Sequence, residues 1–215
     1  MPKSKRVRRV HLTKVKSKGA ELKTTLVDSI REAVDTYAHI YVFSYENMRT
    51  TKFKNVRAAL RDSRIFLGKN KVMQLALGKS PESAYRDNME LLSKELSGLR
   101  GLLFTNKDRD AVREIFDATA EKDFARSGFK CSEKVTLSAG PLTTMAHSMV
   151  EQLRKAGLQA ILVRGVVTLE EDHCICRPGD TLDPDQAHLL KLFDHKVAEF
   201  RLKICAQWSD GKFQK

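Results

Sequence analysis

Apolar residues along the chain change their period several times. Leu22, Leu26, Ile30, Ala33 and Tyr37 recur at steps of three and four, which predicts an amphipathic helix from about 20 to 37. His39-Ile40-Tyr41-Val42-Phe43 is a continuous β-rich run and predicts a buried strand. Phe53, Val56 and Leu60 restore the helical step, with Thr50 or Thr51 as the N-cap. A short strand at Arg64-Ile65-Phe66-Leu67 is followed by helices at about 70–77 and 81–95, the second capped by Ser80 with Pro81 at its first position. Gly101-Leu102-Leu103-Phe104 predicts another buried strand, and Thr105 with Asp108 a capping pattern before a helix containing Val112, Ile115 and Phe116. Strands alternating with helices imply an α/β layered fold.

The pattern weakens near Ala118, and residues 122–132 read as a connector. Strands are expected at Val135-Thr136-Leu137, at 160–163, at 166–168 and at 173–176, with a short helix from Met149 to Ala156 stopped by Gly157. Ala139-Gly140-Pro141 and Pro178-Gly179-Asp180 read as turns. Asp183 should cap a helix opening at Pro184, and Phe200 to Cys205 alternates like a half-exposed strand.

Charge sharpens this picture. Of 215 residues, 39 are Lys or Arg and 27 Asp or Glu, a net charge of +12. An excess of this size points to nucleic acid as a partner. A membrane surface would ask for an amphipathic anchor or lipidation motif as a second signal. Residues 1–20 carry no acid but hold Lys3, Lys5, Arg6, Arg8, Arg9, Lys14, Lys16 and Lys18. That arm reads as a solvated terminus with a nuclear address in KSKRVRR, as a segment that orders on an RNA backbone, or as both. A second cluster holds Lys52, Lys54, Arg57, Arg61 and Arg64. The spacings of three, four and three from Lys54 through Arg57 and Arg61 to Arg64 set all four on one helix flank, although Arg64 also opens the following strand. Gly68, Lys69, Asn70 and Lys71 then open a helix, where free N–H groups and two lysines favour a phosphate. This is not a nucleotide P-loop: the spacing before Gly78-Lys79-Ser80 puts Met73 where the first glycine belongs.

Other chemistry is thin. His173, Cys174 and Cys176 lack a second ligand pair for zinc, and strand alternation parts His173 from the cysteines. The acids at 170–172, 183 and 185 suit a solvated turn and a helix cap, and Trp208 suits strand-end packing better than base stacking. No catalysis, metal or cofactor is expected.

MPKSKR at 1–6, VDTY at 34–37, GKNKVMQLALG at 68–78, GLLFT at 101–105, RGVVTL at 164–169, LLKLF at 189–193 and AEF at 198–200 resemble a known family across nearly the whole chain. It is the eukaryotic mRNA-turnover-type ribosome assembly factor, a paralogue of the stalk-base protein P-zero in the ribosomal L-ten family. The resemblance implies an α/β rRNA-binding domain interrupted by a smaller inserted α+β domain. In this numbering that means a basic flexible arm at 1–19, a discontinuous domain at 20–125 and 181–208, an insert at 126–180 and a short tail at 209–215. It also implies a role on the large (60S) subunit: occupying stalk-base rRNA of the pre-60S particle, beside neighbouring ribosomal proteins, until P-zero takes its place. The rRNA contacts would be the basic arm, Lys52, Lys54, Arg57, Arg61, Arg64 and Gly68 to Lys71. The protein is expected to be monomeric and nucleolar or nuclear, with shuttling to the cytoplasm on pre-60S particles. Because the sequence stops at Lys215, acidic stalk proteins are not expected as partners. The alternatives are a mature stalk-base protein lacking its stalk-binding tail and, from the charge alone, an RNA-processing enzyme.

Overall fold

The computed structural model describes residues 19–215. The elements run α1 (Ala20–Thr36), β1 (His39–Glu46), α2 (Thr50–Ala59), β2 (Arg64–Phe66), α3 (Asn70–Leu77), α4 (Met89–Lys94), β3 (Arg100–Thr105) and α5 (Arg109–Ala118). They continue through β4 (Glu121–Asp123), β5 (Val135–Leu137), β6 (Gly140–Pro141), α6 (Val150–Lys155), β7 (Ala160–Val163), β8 (Val166–Leu169), β9 (His173–Cys176), α7 (Pro184–Leu192), β10 (Ala198–Ser209) and β11 (Lys212–Gln214).

The main sheet has the order β11-β10-β1-β3-β2, with β4 added to the start of β10, and its pairings are antiparallel. Side chains alternate across a strand. Ile40, Val42, Leu102 and Phe104 therefore meet the helix layer of α1, α3 and α4, while Tyr41, Phe43 and Leu103 meet α2 and α5 on the other face. Both faces are covered, so β1 and β3 read as unbroken apolar runs and not as alternating ones. The result is a helix–sheet–helix sandwich. Gly101 permits the close approach of its layers: a Cβ there would lie 2.6 Å from Leu67 Cδ2 and 2.7 Å from Phe43 Cζ.

Strand β10 serves both layers through a bulge. Val42 pairs with Ala206 but Phe43 pairs with Ile204, leaving Cys205 as the extra residue. Phe200 and Leu202 consequently face α2 and α5, whereas Ala206 and Trp208, also even-numbered, face α1, α3 and α4.

Several expectations are corrected. The helix expected at 81–95 is a single 3₁₀ turn at Pro81–Ser83 and then, after the left-handed Asn88, the six-residue α4. Tertiary bonds hold the stretch between them out of helix. Tyr85 and Arg86 bind Asp35, the Asp87 carbonyl accepts the Trp208 indole N–H at 2.9 Å, and Asn88 donates to the Gly211 carbonyl. Ser80 does cap with Pro81 behind it, but it caps only that one turn. Arg49, not a threonine, is the N-cap of α2. Thr105 ends β3 with its hydroxyl bonded to Ser63, and Asp108 is the N-cap of α5. Gly140-Pro141 forms a two-residue strand against β8 rather than a plain turn. At the start of the expected connector a strand forms instead, Glu121–Asp123 pairing with Ala198–Phe200. The expected short tail at 209–215 is part of the sheet: β11 pairs with β10 and Phe213 packs on the first core.

The inserted unit has its own core of Leu137, Leu153, Ala160, Val167, Ile175 and their neighbours. Leu182, Leu189 and Leu190 belong to that core too, so α7 packs with the insert and not with the first domain as expected. The chain leaves the first domain through β4 and re-enters through β10, and these two strands are paired.

Candidate nucleic-acid interface

Strand β2 is the free edge of the main sheet, with α2 against one face and α3 against the other. The segment from 47 to 81 wraps this edge and holds nine Lys and Arg residues against one acid, Asp62. Phe53, Val56 and Leu60 are buried, which turns Lys54, Arg57 and Arg61 outward, all three exposed. The Arg57 guanidinium lies 4.9 Å from the Phe53 ring centroid, a stacked position that orients it without cancelling its charge.

The start of α3 is built as the sequence implies. Lys69 is the N-cap, and its carbonyl accepts the N–H groups of Val72 and Met73 at 2.8 and 3.1 Å. Lys69 and Lys71 are exposed, while the Asn70 amide donates to the Gly98 carbonyl at 2.8 Å. Asn70 therefore ties α3 to the loop before β3 instead of standing free for a ligand. Among the described residues, no carboxylate lies within ion-pair distance of Lys54, Arg57, Arg61, Lys69 or Lys71.

Register places these groups at two ends of β2. Arg64 pairs with Phe104 and Phe66 with Leu102, so Arg61 and Arg64 sit at the end where β3 finishes and Lys69 to Lys71 at the end where β3 begins. Three strand residues span only about 10 Å, so both groups border one edge. Lys54 and Arg57 join the second group by lining a groove of about 420 Å³ with Leu67, the residue before Gly68.

Two expected contacts have other employment. Lys52 Nζ is 2.8 Å from Glu121 Oε2 and donates to the Lys122 carbonyl, pinning α2 to β4. Arg64 lies 3.7 Å from Glu32 and over the Phe66 ring. Lys52→Ala should cost about 1 kcal/mol in a urea unfolding titration, and RNA affinity should change far less than on loss of Arg57. Lys3, Lys5, Arg6, Arg8, Arg9, Lys14, Lys16 and Lys18 lie outside the described residues. Arg49, which sequence reasoning left out, is a strut: it bonds Asp123 at 3.1 Å and the Phe124 carbonyl at 3.0 Å. Nothing local in the sequence marks it, because its partner lies in a strand formed only by tertiary pairing.

The thiols sit in the insert. Among the described residues no group of three His, Cys, Asp or Glu side chains is placed to hold a metal. Cys176 instead meets a residue the motif did not include, Cys131, with the sulfurs 3.0 Å apart. Burial, followed by that hydrogen bond, pushes the Cys176 thiol up to about 12. A group raised on folding contributes stability that is intact below its unfolded pKa and is lost as pH climbs through the folded value. Stability should hence fall between about pH 9 and pH 12 as the unfolded thiol ionises first. Cys176→Ser should flatten that loss in melts taken across the range. Trp208 is buried and its indole N–H is bonded, so it offers no face to a base.

Comparison with known proteins fits this architecture. Residues 18–121 match the family model for ribosomal protein L10, and residues 125–194 match that for the insertion domain of the 60S ribosomal protein in the same family. The chain is 42% identical to ribosome assembly factor mrt4 of Dictyostelium discoideum, across 99% of this chain and 96% of the relative. The chain belongs to the Mrt4 branch of the ribosomal L10 family. To the Saccharomyces cerevisiae Mrt4 it is 33% identical, covering 98% of this chain and 94% of that one. Large ribosomal subunit protein uL10 of Methanopyrus kandleri matches at 26% identity, and there the alignment spans 54% of the relative's length. The insertion-domain boundary at 194 agrees with the packing of α7 in the insert's core.

Proposed function

We propose that this chain is an assembly factor of the large ribosomal subunit that binds stalk-base rRNA on pre-60S particles and holds the place until P-zero replaces it. The observation that carries the reading is the near full-length match to relatives named as ribosome assembly factors, at 42% and 33% identity. The cationic rim around β2 supplies the means. Lys54, Arg57, Arg61, Lys69 and Lys71 present uncompensated charge along one edge, as a phosphate backbone requires. The rim is built on helices and a strand edge, so recognition goes through the shape of folded rRNA rather than a base code. The relatives are named as assembly factors and not as enzymes, and the same role is assigned here. Its place of work would be the nucleolus and nucleus, with transit to the cytoplasm on the particle.

Crosslinking in cells followed by rRNA sequencing tests the proposal. Crosslinks should concentrate in the stalk-base segment of large-subunit rRNA in particles that lack P-zero. Crosslinks confined to other rRNA, or coexistence with P-zero on the same particle, would overturn it.

A further inference from the structure

Two more grooves open at the end of the sheet where α3 begins. One, of about 570 Å³, lies between the start of α2 and the insert and is lined by Thr51, Arg126 and Lys191. The other, of about 430 Å³, is lined by Met48, Leu99, Arg126 and Lys130. The two share Arg126, and the second shares Met48 with the groove that holds Lys54 and Arg57. Leu99 adjoins Gly98, whose carbonyl takes the Asn70 bond at the start of α3. The grooves thus form one path from the β2 rim across to the insert.

The path is electrostatically one-sided. Among the described residues its only lining carboxylate is Asp123, already paired to Arg49 at 3.1 Å. Arg126, Lys130 and Lys191 are exposed, and among the described residues none has an ion-pair partner. Clefts lined with one sign of charge focus potential on a polyanion. Leu99 is 65% exposed beside them, an apolar group available to a ribose or a base.

We propose that the inserted domain contributes a second RNA-backbone subsite, with Arg126, Lys130 and Lys191 gripping the strand that leaves the β2 rim. The subsite rests on the rRNA-binding reading and extends it: the insert becomes part of the RNA-binding surface and not an appendage to it.

The test compares wild-type protein, R126E/K191E and R57E/K69E on one stalk-base rRNA fragment over a salt series. R126E/K191E should bind at least about tenfold more weakly, with the slope of log K against log salt reduced by about 1.4 to 1.8, at 0.7 to 0.9 per phosphate no longer neutralised. R126Q/K191Q should show a smaller loss in the same direction, and unchanged thermal melts would exclude misfolding. If wild type binds and R57E/K69E is crippled while R126E/K191E keeps wild-type affinity and slope, the subsite is overturned and the rim reading stands. The subsite is equally overturned if R126E/K191E loses only particle association, which would assign the grooves to a protein. If wild type itself fails to bind the fragment, both fall.

Discussion

R57E/K69E should bind a stalk-base rRNA fragment about 100-fold more weakly than wild type, or worse, at low salt. Each of these side chains stands exposed and unpaired among the described residues, one on α2 and one at the start of α3. A charge-assisted hydrogen bond to phosphate contributes about 1.5 to 3 kcal/mol, so losing two removes about 3 to 6 kcal/mol before repulsion is counted. Counterion release sets the second signature: the salt slope should fall by about 1.4 to 1.8, at 0.7 to 0.9 for each phosphate left without its cation. Stability should move little, since Arg57 gives up only its stacking on Phe53, worth about 0.5 to 1 kcal/mol at an exposed site. Filter binding or fluorescence anisotropy over a salt series, with a melt as control, decides it. Unchanged affinity with an unchanged slope would remove the β2 rim from the RNA-binding surface.

Phe104→Ala should be among the most damaging single changes to the fold. Phe104 is fully buried in the first core and meets Phe66 edge to face at a centroid distance of 5.4 Å. Emptying a packed aromatic site costs about 3 to 5 kcal/mol, from lost transfer energy and the cavity left behind. A domain whose total stability is about 5 to 15 kcal/mol would lose a large part of it. The ring also backs β2, so the same change loosens the edge that carries Arg64 and leads to Lys69. Chemical denaturation should show a midpoint shifted well down. A shift below about 1 kcal/mol would mean that the first core can collapse around the gap.

Much of the first domain is legible because its signals are local. The apolar steps of α1 and α2, the unbroken runs of β1 and β3 and the glycine stop at Gly78 each follow from a few neighbouring residues. The departures are tertiary. Residues 84–88 lie between the Ser80-Pro81 start and the apolar run at 89–92, which suggests one continuous helix, yet bonds to Asp35, Trp208 and Gly211 draw them out. Helix α7 has apolar residues that fit either core, and only the assembled fold assigns Leu189 and Leu190 to the insert. The same division holds at the site. The outward turn of Lys54 and Arg57 follows from helical spacing, whereas Arg61, expected on the same flank, lies past the end of α2 and sits beside Arg64 at the other end of β2. Lys52 belongs to the same basic run but is neutralised by Glu121, whose strand becomes visible only once it pairs with β10. Arg126 and Lys191 stand 65 positions apart in the chain and share a cleft only in the folded molecule.

The extra residue at Cys205 gives β10 one position of slack against β1. Removing that single position would erase the bulge and leave the ladder regular, with Ala206 still opposite Val42 directly after the Ile204–Phe43 pair. Trp208 would stay opposite Ile40 and keep its bond to the Asp87 carbonyl, and β11 would keep its place beside it. Loss of one codon should therefore be survived at Cys205, the one position here that β1 does not count.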